Sequence, residues 1–484
     1  MLDRASEVHH FALVAKATTL PDALAHAATN PSAPASVALR AIERAFHSDI
    51  RGAISLLRQA LRSCSEPADA AYFTDLLAQN LASTGDFQGL ESVLQACTVV
   101  PDRLAPSMCA MTAILHAVRG DVETSRSLAR QSMTAIDEAA PPELLAQVLN
   151  RSSLAAYYRG DYAESEDLAL RAALLLESCG AFWCAGASYS VPATIAQDWN
   201  QDGRAAAAHY SRMLKLAEDA GHSALRRVAI AGLFSVAAEM FDEPAHTAMR
   251  KLLVARPEAQ QLQENYAVAV ADALGFGWKG EFAAAEAVLA ACAARIEVSQ
   301  QQRALVEALL GLIGAANGDV ELARALARAA LKRTVRSSHE PLFERRLRAL
   351  ARQLAAAACF IIGDTVRGLR GLSERFDPGR KYRNLLITPP IDLFMCSDVF
   401  RGYAEFVNVV SRHARAHRPQ LGLTPTEADL LRMLPQGTTL VELASDMKKS
   451  KHTVARQVES IYQKLGVHNR AQAVQKARAL GLVP

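Results

Sequence analysis

The chain has 484 residues, a formal net charge of +3, 50% hydrophobic and 21% charged residues, and only 6% aromatics. This composition excludes a disordered or collagen-like chain and, with Ala and Leu abundant, favours helix packed on helix over sheet. The charge is uneven: residues 412–484 carry a balance of +7 and the first 411 residues −4, which points to a polyanionic partner for the C-terminal segment. No run of about eighteen apolar residues lacks charge, and the N-terminus MLDRASEVHHF has no signal-peptide core. A cytoplasmic protein without a membrane span is expected. The eight cysteines (Cys64, Cys97, Cys109, Cys179, Cys184, Cys292, Cys359 and Cys396) form no CxxC pair and sit mostly in apolar helical runs, as reduced buried thiols do.

In chain order, residues 1–39 predict a short N-terminal helix and a loop, ATNPSAPAS (27–35). A turn signal then recurs at Asp49, Asp86, Asp121, Asp161, Asp202, Asp242, Glu281, Asp319 and Asp364, at intervals of 35 to 45 residues. Each follows one apolar helical run and precedes another, as in VRGDVETSRSLA. Glycine ends the first helix by tolerating positive φ. The acid starts the second, where the helix dipole favours negative charge. Small residues, as in FAAAEAVLA, let the two helices approach closely. A hairpin of this kind cannot bury its apolar face alone, so neighbours must stack. The pattern resembles tetratricopeptide-type repeats over roughly residues 40–376, with longer intervals and mostly without the usual proline. That resemblance implies a superhelix whose groove takes a peptide, a protein or a small ligand.

The segment DPGRKYRNLLITPPIDLF (377–394) breaks the period. SDVFRGYAEFVNVVSRHAR predicts a terminal helix, and RHARAHRPQLG (412–422), basic and containing Pro419, a linker. Within the array, GFGWKG (275–280) matches G-x-G-x-x-G, but a helix rather than a strand precedes it. It is expected to be a repeat turn, with Trp278 in that repeat's core or surface. His9 and His10 would point about 100° apart on a helix and make no metal site. Glu164 and Glu166 belong to a solvated face. There is no G-x-x-x-x-G-K-[ST], H-E-x-x-H or G-x-S-x-G. No catalytic residue, metal or cofactor is expected, and hence no enzyme.

The C-terminal segment brackets four short helices. Thr424-Pro425-Thr426-Glu427 is a capping box with proline at the first helical position, and Pro435-Gln436-Gly437 ends that helix. Thr439 and Glu442 form a second box. Ser450 caps a third helix stopped by Gly466, and Asn469 caps a fourth. Helices two and three, joined by the turn KKS, predict a helix-turn-helix. On the third, Val454, Val458, Ile461 and Leu465 make one buried stripe, while His452, Arg456, Glu459 and Gln463 lie opposite. A helix entering a major groove needs long polar side chains on that outer face.

Leu423, Thr424, Glu427, Leu434, Gly437, Glu442, Leu443, Ala444, Ser450, Thr453, Val454, Ile461, Lys464, Leu465, Val467, Arg470, Ala473, Ala477 and Leu480-Gly481-Leu482 fall at the spacing of the LuxR/GerE-type DNA-binding domain, which residues 423–484 resemble. The resemblance implies that Lys449, Ser450, Lys451, His452, Thr453, Ala455, Arg456, Gln457, Glu459, Lys464 and Arg470 form the DNA surface. Thr453, Lys464 and Arg470 are expected on phosphates, and positions 455, 456 and 459 toward bases. Ala473 and Ala477 are expected at the small face of a dimerisation helix. The sequence departs from the family in Ala455 for lysine, Gln457 for histidine and Leu440-Val441 for asparagine-lysine. Arg456 is therefore the main candidate to read guanine, with Glu459 accepting from cytosine N4 or repelling phosphates.

The expected layout is all-α. It comprises an N-terminal helix and loop (1–39), a tetratricopeptide-like array (40–411), a basic linker (412–420) and a four-helix LuxR-type domain (421–484). The order is similar to regulators of the maltose-regulon activator type without their ATPase. It implies a bacterial, nucleoid-associated regulator that binds double-stranded DNA as a homodimer. An unidentified effector would sit in the repeat groove, with RNA polymerase a further candidate partner. The alternative is an interaction scaffold or anti-activator whose terminal domain only dimerises.

Overall fold

The computed structural model describes residues 34–46, 49–102, 104–136, 140, 142–254, 266–294, 299–334, 342–364, 368, 400–416, 423–436, 438–479 and 482. Among these, every regular element is helical. The predicted N-terminal helix, His9-His10, Cys396, the 377–394 segment, linker residues 417–420, Gly437 and Leu480-Gly481 lie outside the described residues.

The chain divides into two compact units, residues 1–236 with 251–258, and residues 237–250 with 259–484. The first holds hairpins α1 (Pro34–Phe46)/α2 (Ile50–Ser63), α3 (Pro67–Thr84)/α4 (Phe87–Ala96), α5 (Ala105–Val118)/α6 (Val122–Thr134) and α7 (Pro142–Arg159)/α8 (Tyr162–Ser178). In the next hairpin the first arm is broken into α9 (Phe182–Ser188), α10 (Ser190–Ile195) and a π-turn (Ala196–Asn200), and α11 (Gly203–Asp219) is the second arm. The division falls inside the following hairpin, α12 (Ser223–Glu239)/α13 (Glu243–Val254). The first hairpin begins at Pro34, so residues 34–39, expected in a loop segment, are already its first arm.

The recurring acids sit where their charge helps most. Asp49, Asp86, Asp121, Asp202, Asp242 and Asp319 each accept a hydrogen bond from a backbone N–H in the first turn of the second helix. Asp161 and Glu281 occupy the same N-cap position without that bond. Gly85, Gly120, Gly160, Gly280, Gly318 and Gly363 supply the positive φ just before. Where the sequence has no glycine there, Gln201 (φ 55°) and Phe241 (φ 58°) take the left-handed conformation instead. The turn geometry is thus held by stacking of the hairpins, at a cost in local strain.

The first unit's core is apolar around Leu57, Leu77, Leu81, Leu90 and Met111. It also contains a polar knot between the first arms of successive hairpins. Arg151 on α7 donates to both carboxylate oxygens of Asp75 on α3 and to Ser107 on α5; its Nη2 lies 2.9 Å from Asp75 Oδ2. Gln147 Nε2 adds a bond to the same carboxylate at 3.0 Å. Arg151 and Asp75 are 4% and 1% exposed, so their charges are kept in the interior only because each neutralises the other.

The second unit stacks α14 (Tyr266–Trp278)/α15 (Phe282–Ala293), α16 (Gln300–Ala316)/α17 (Val320–Arg333) and α18 (Leu342–Ile361). A terminal helix, α19 (Arg401–Ala416), packs on α14, α16 and α18. Its approach depends on absent side chains. A Cβ on Gly277 would fall 1.8 Å from the Phe406 ring, and one on Gly402 1.8 Å from the Ala238 carbonyl. Trp278 is buried and its indole N–H donates to Gly402 O at 2.9 Å. GFGWKG is therefore the end of a packed helix, with Gly275 and Gly277 making room for His246 and Phe406. Because α19 runs to Ala416, residues 412–416 are helical rather than linker. No helix among the described residues is long and apolar enough to cross a membrane.

Candidate nucleic-acid interface

The last helices are α20 (Pro425–Met433) with a 3-10 turn (Leu434–Gln436), α21 (Leu440–Asp446), α22 (Lys451–Leu465) and α23 (Arg470–Ala479). They surround their own core of Leu430, Leu431, Leu434, Leu443, Val454, Val458, Ile461, Leu465, Ala473 and Ala477. Both capping boxes form. Thr424 N and Thr439 N each donate to the glutamate three residues on at 2.6 Å, and each threonine hydroxyl accepts the return bond at 3.3 Å. Ser450 accepts from Thr453 N at 3.1 Å and starts α22. Gly466, at φ 64°, stops it. Between α21 and α22, Lys448 takes φ 51°, and Lys449 N returns to Ala444 O at 2.9 Å, which sets the tight helix-turn-helix corner.

α22 presents two unlike faces. Val454, Val458, Ile461 and Leu465 are buried. Lys451, His452, Thr453, Arg456, Glu459 and Gln463 are exposed, while Ala455 and Gln457 are half-buried on its flanks. Lys449 Nζ lies 3.5 Å from Gln457 Oε1, tying the turn to the helix. Arg456 and Glu459 have no ion-pair partner among the described residues, so both side chains are available to a ligand.

Two residues expected on phosphates are engaged by the domain itself. Lys464 Nζ donates to Glu427 Oε2 at 2.6 Å, and Ser460 Oγ donates to Glu427 Oε1 at 2.6 Å. Burial alone would raise the Glu427 pKa. The bonds from Lys464, Ser460 and Thr424 outweigh it and hold the carboxyl at about 2. Arg470 donates through Nε and Nη2 to Leu434 O, at 2.9 and 2.6 Å, and through Nη1 to Thr438 O. It thereby satisfies the Leu434 carbonyl at the end of α20 and the Thr438 carbonyl in the connection to α21. Ala473 and Ala477 are fully buried in the domain core, which corrects their expected place in a dimer contact. Their methyl groups are small because α23 lies close on its own domain. The exposed residues of α23 include Ala471, Gln472, Gln475 and Lys476. Sequence spacing identified the small face but not what covers it. Among the described residues no group of histidine, cysteine or acid side chains could hold a metal.

These features define a helix-turn-helix domain that follows an array of tetratricopeptide-like hairpins. Residues 421–477 match the family model described as bacterial regulatory proteins, luxR family, and the domain is of that LuxR type. No curated protein matches the chain. Among solved structures it is similar to a signal-transduction ATPase with a tetratricopeptide repeat sensor from Pyrococcus horikoshii. The identity is 15% and the TM-score 0.39, over 76% of this chain and 51% of that one. This chain therefore spans about half the length of that relative. It is also similar to the APC/C hetero-tetramer Cut9-Hcn1, at 10% identity and a TM-score of 0.24, over 92% and 97% of the two chains.

Proposed function

We propose that the protein is a transcriptional regulator that binds specific double-stranded DNA through α22, with its repeat array taking up an effector. One observation carries the DNA reading. The apolar side chains of α22 are spent on the core, while His452, Arg456 and Glu459 stand exposed on the opposite face at major-groove spacing. Arg456 reads guanine and Glu459 accepts from cytosine. Lys449, Ser450, Lys451 and Thr453 hold phosphates near the N-terminus of α22, where its dipole adds to their attraction. Lys464 and Arg470 position these groups from within the domain. A homodimer on DNA would pair α23 through its outer face at Ala471 and Gln475. RNA polymerase would then be approached in a bacterial cytoplasm.

The test is fluorescence anisotropy of the full chain against duplexes selected from genomic DNA, at about 50 to 200 mM salt. Phosphate neutralisation makes log K fall with log salt at about −0.9 per phosphate. Arg456→Ala should lose about 1–3 kcal/mol of discrimination at one base pair. A chain that folds but shows no salt-dependent duplex affinity would refute the reading and leave a scaffold whose last domain serves protein contacts.

A further inference from the structure

Helix α19 is not an arm of a repeat. The arms of α14/α15 and of α16/α17 are joined through 279–281 and 317–319, whereas residues 362–400 separate α18 from α19 in sequence. It lies instead across the first arms of successive hairpins. It packs on α14, α16 and α18, and Gly402 in its first turn lies against the Ala238 carbonyl of α12. First arms elsewhere pack directly on one another, as α5 does on α7 and α16 on α18. α14 and α16 are joined chiefly through α15 and α19. The first arms therefore leave a groove, and α19 fills it.

The groove is shaped for a helix. Phe406, Val407 and Val410 are fully buried in it, and Tyr403 nearly so. With Gly402 they form a single helical face. Gly277 on α14 leaves the space that the Phe406 ring takes, and the Trp278 indole N–H donates to Gly402 O at 2.9 Å. His413 sets its ring edge-on to Phe282, with centroids 5.0 Å apart. At the N-terminal end, Arg346 of α18 reaches Glu239 of α12 at 2.6 Å and lies over the Phe400 ring. Anchors one helical turn apart on one face are how a groove takes an amphipathic helix. The fit has one defect. Ser411 is 6% exposed, and its Oγ has no hydrogen-bond partner among the described residues. A buried hydroxyl left unpaired weakens the seat, so α19 is not the best helix this groove could hold.

We infer that α19 occupies this groove as an intramolecular ligand, and that the effector which displaces it is an amphipathic helix of a partner protein. That helix has a small residue at the place of Gly402, an aromatic ring at that of Phe406 and an apolar side chain at that of Ser411. The inference rests on the effector half of the proposed function and not on its DNA half. α19 is the last helix before the helix-turn-helix domain in sequence, so displacing it acts on the segment that carries that domain.

The probe is a fluorescein-labelled peptide of residues 400–416, titrated into the full chain and read by anisotropy. In the wild-type chain the tethered α19 competes at a roughly millimolar local concentration, so binding should be weak. Phe406→Ala and, separately, Gly402→Val loosen α19 in the chain and should each raise peptide affinity by roughly tenfold or more. Where a loosened variant melts early, the peptide should return its melt toward the wild-type value. A Ser411→Ala peptide should bind more tightly than the native sequence. Gly277→Leu/Phe406→Ala fills the place of the ring from α14, so this chain should keep its fold and refuse the peptide. No binding to the loosened variants and no recovery of their melts would overturn the inference and make α19 a fixed part of the core. Equal binding by Gly277→Leu/Phe406→Ala would also overturn it, because the peptide would then sit elsewhere. A loosened variant that dimerises instead of taking the peptide would make a second copy the occupant and overturn the partner assignment. Peptide binding is read without DNA, so a chain that takes the peptide but binds no duplex would refute the DNA reading and keep this one.

Discussion

Glu427 makes the helix-turn-helix domain sensitive to acid, and the size of the effect follows from its surroundings. Its side chain is 6% exposed and accepts from Lys464, Ser460 and Thr424. The carboxyl is held at about 2 against an ordinary value of 4.5. A depressed carboxyl pKa means that the folded state favours the charged form. The stabilisation is fully present above pH 4.5 and is lost as the pH falls from there toward 2. At about 1.36 kcal/mol per unit, the upper bound is about 3 kcal/mol. Lys464 is 29% exposed, so solvent screening brings the expected figure nearer to about 2 kcal/mol. Glu427→Gln can still form the capping box but leaves Lys464 without its counter-charge, and should lose a similar amount at neutral pH. The assay is amide exchange in the full chain, followed in the peptide covering 451–465 and corrected for the intrinsic pH dependence of exchange. Wild type should lose protection as the pH falls below 4.5, and Glu427→Gln should begin lower and stay flat through that window. Equal acid slopes in the two proteins would show that the carboxylate does not clamp α20 to α22.

Three other outcomes are expected. Ala455→Lys adds a cation on the flank of α22, and should raise duplex affinity and steepen the slope of log K against log salt in the anisotropy titration. Gly466→Ala forces a Cβ onto a residue at φ 64° and should cost the C-terminal domain about 1 kcal/mol, measured by the same exchange assay. Arg151→Met leaves Asp75 charged and 1% exposed without its partner, and should cost about 3–5 kcal/mol in urea unfolding. Replacing both, as Asp75→Leu/Arg151→Met, should recover most of that loss.

What the sequence discloses here is mainly what is local. Asp49, Asp86, Asp121, Asp202 and Asp319 announce their helices because an N-cap acts within three residues. The buried stripe of α22 is legible because a helix repeats its own face. Contacts between elements are not local, and there the reading fails in an orderly way. Arg151 meets Asp75 across 76 residues, and nothing in LLAQVLNRSSLAAYY names its partner. Ala473 and Ala477 were legible as small and close-packed, yet periodicity cannot say whether the neighbour is a second copy or the same domain. Lys464 and Arg470 show the converse. A cation next to a recognition helix has two ways to be useful, on a phosphate or on a buried acceptor, and only the position of Glu427 and of the Leu434 carbonyl decides. The distinction matters for mutagenesis. Removing a phosphate contact weakens binding and lowers the salt slope while leaving the fold intact. Removing Lys464 uncovers Glu427 and removing Arg470 uncovers Leu434 O, so either change should lower stability and DNA affinity together. A loss of affinity in those variants therefore identifies a DNA contact only when the melt of the domain is unchanged.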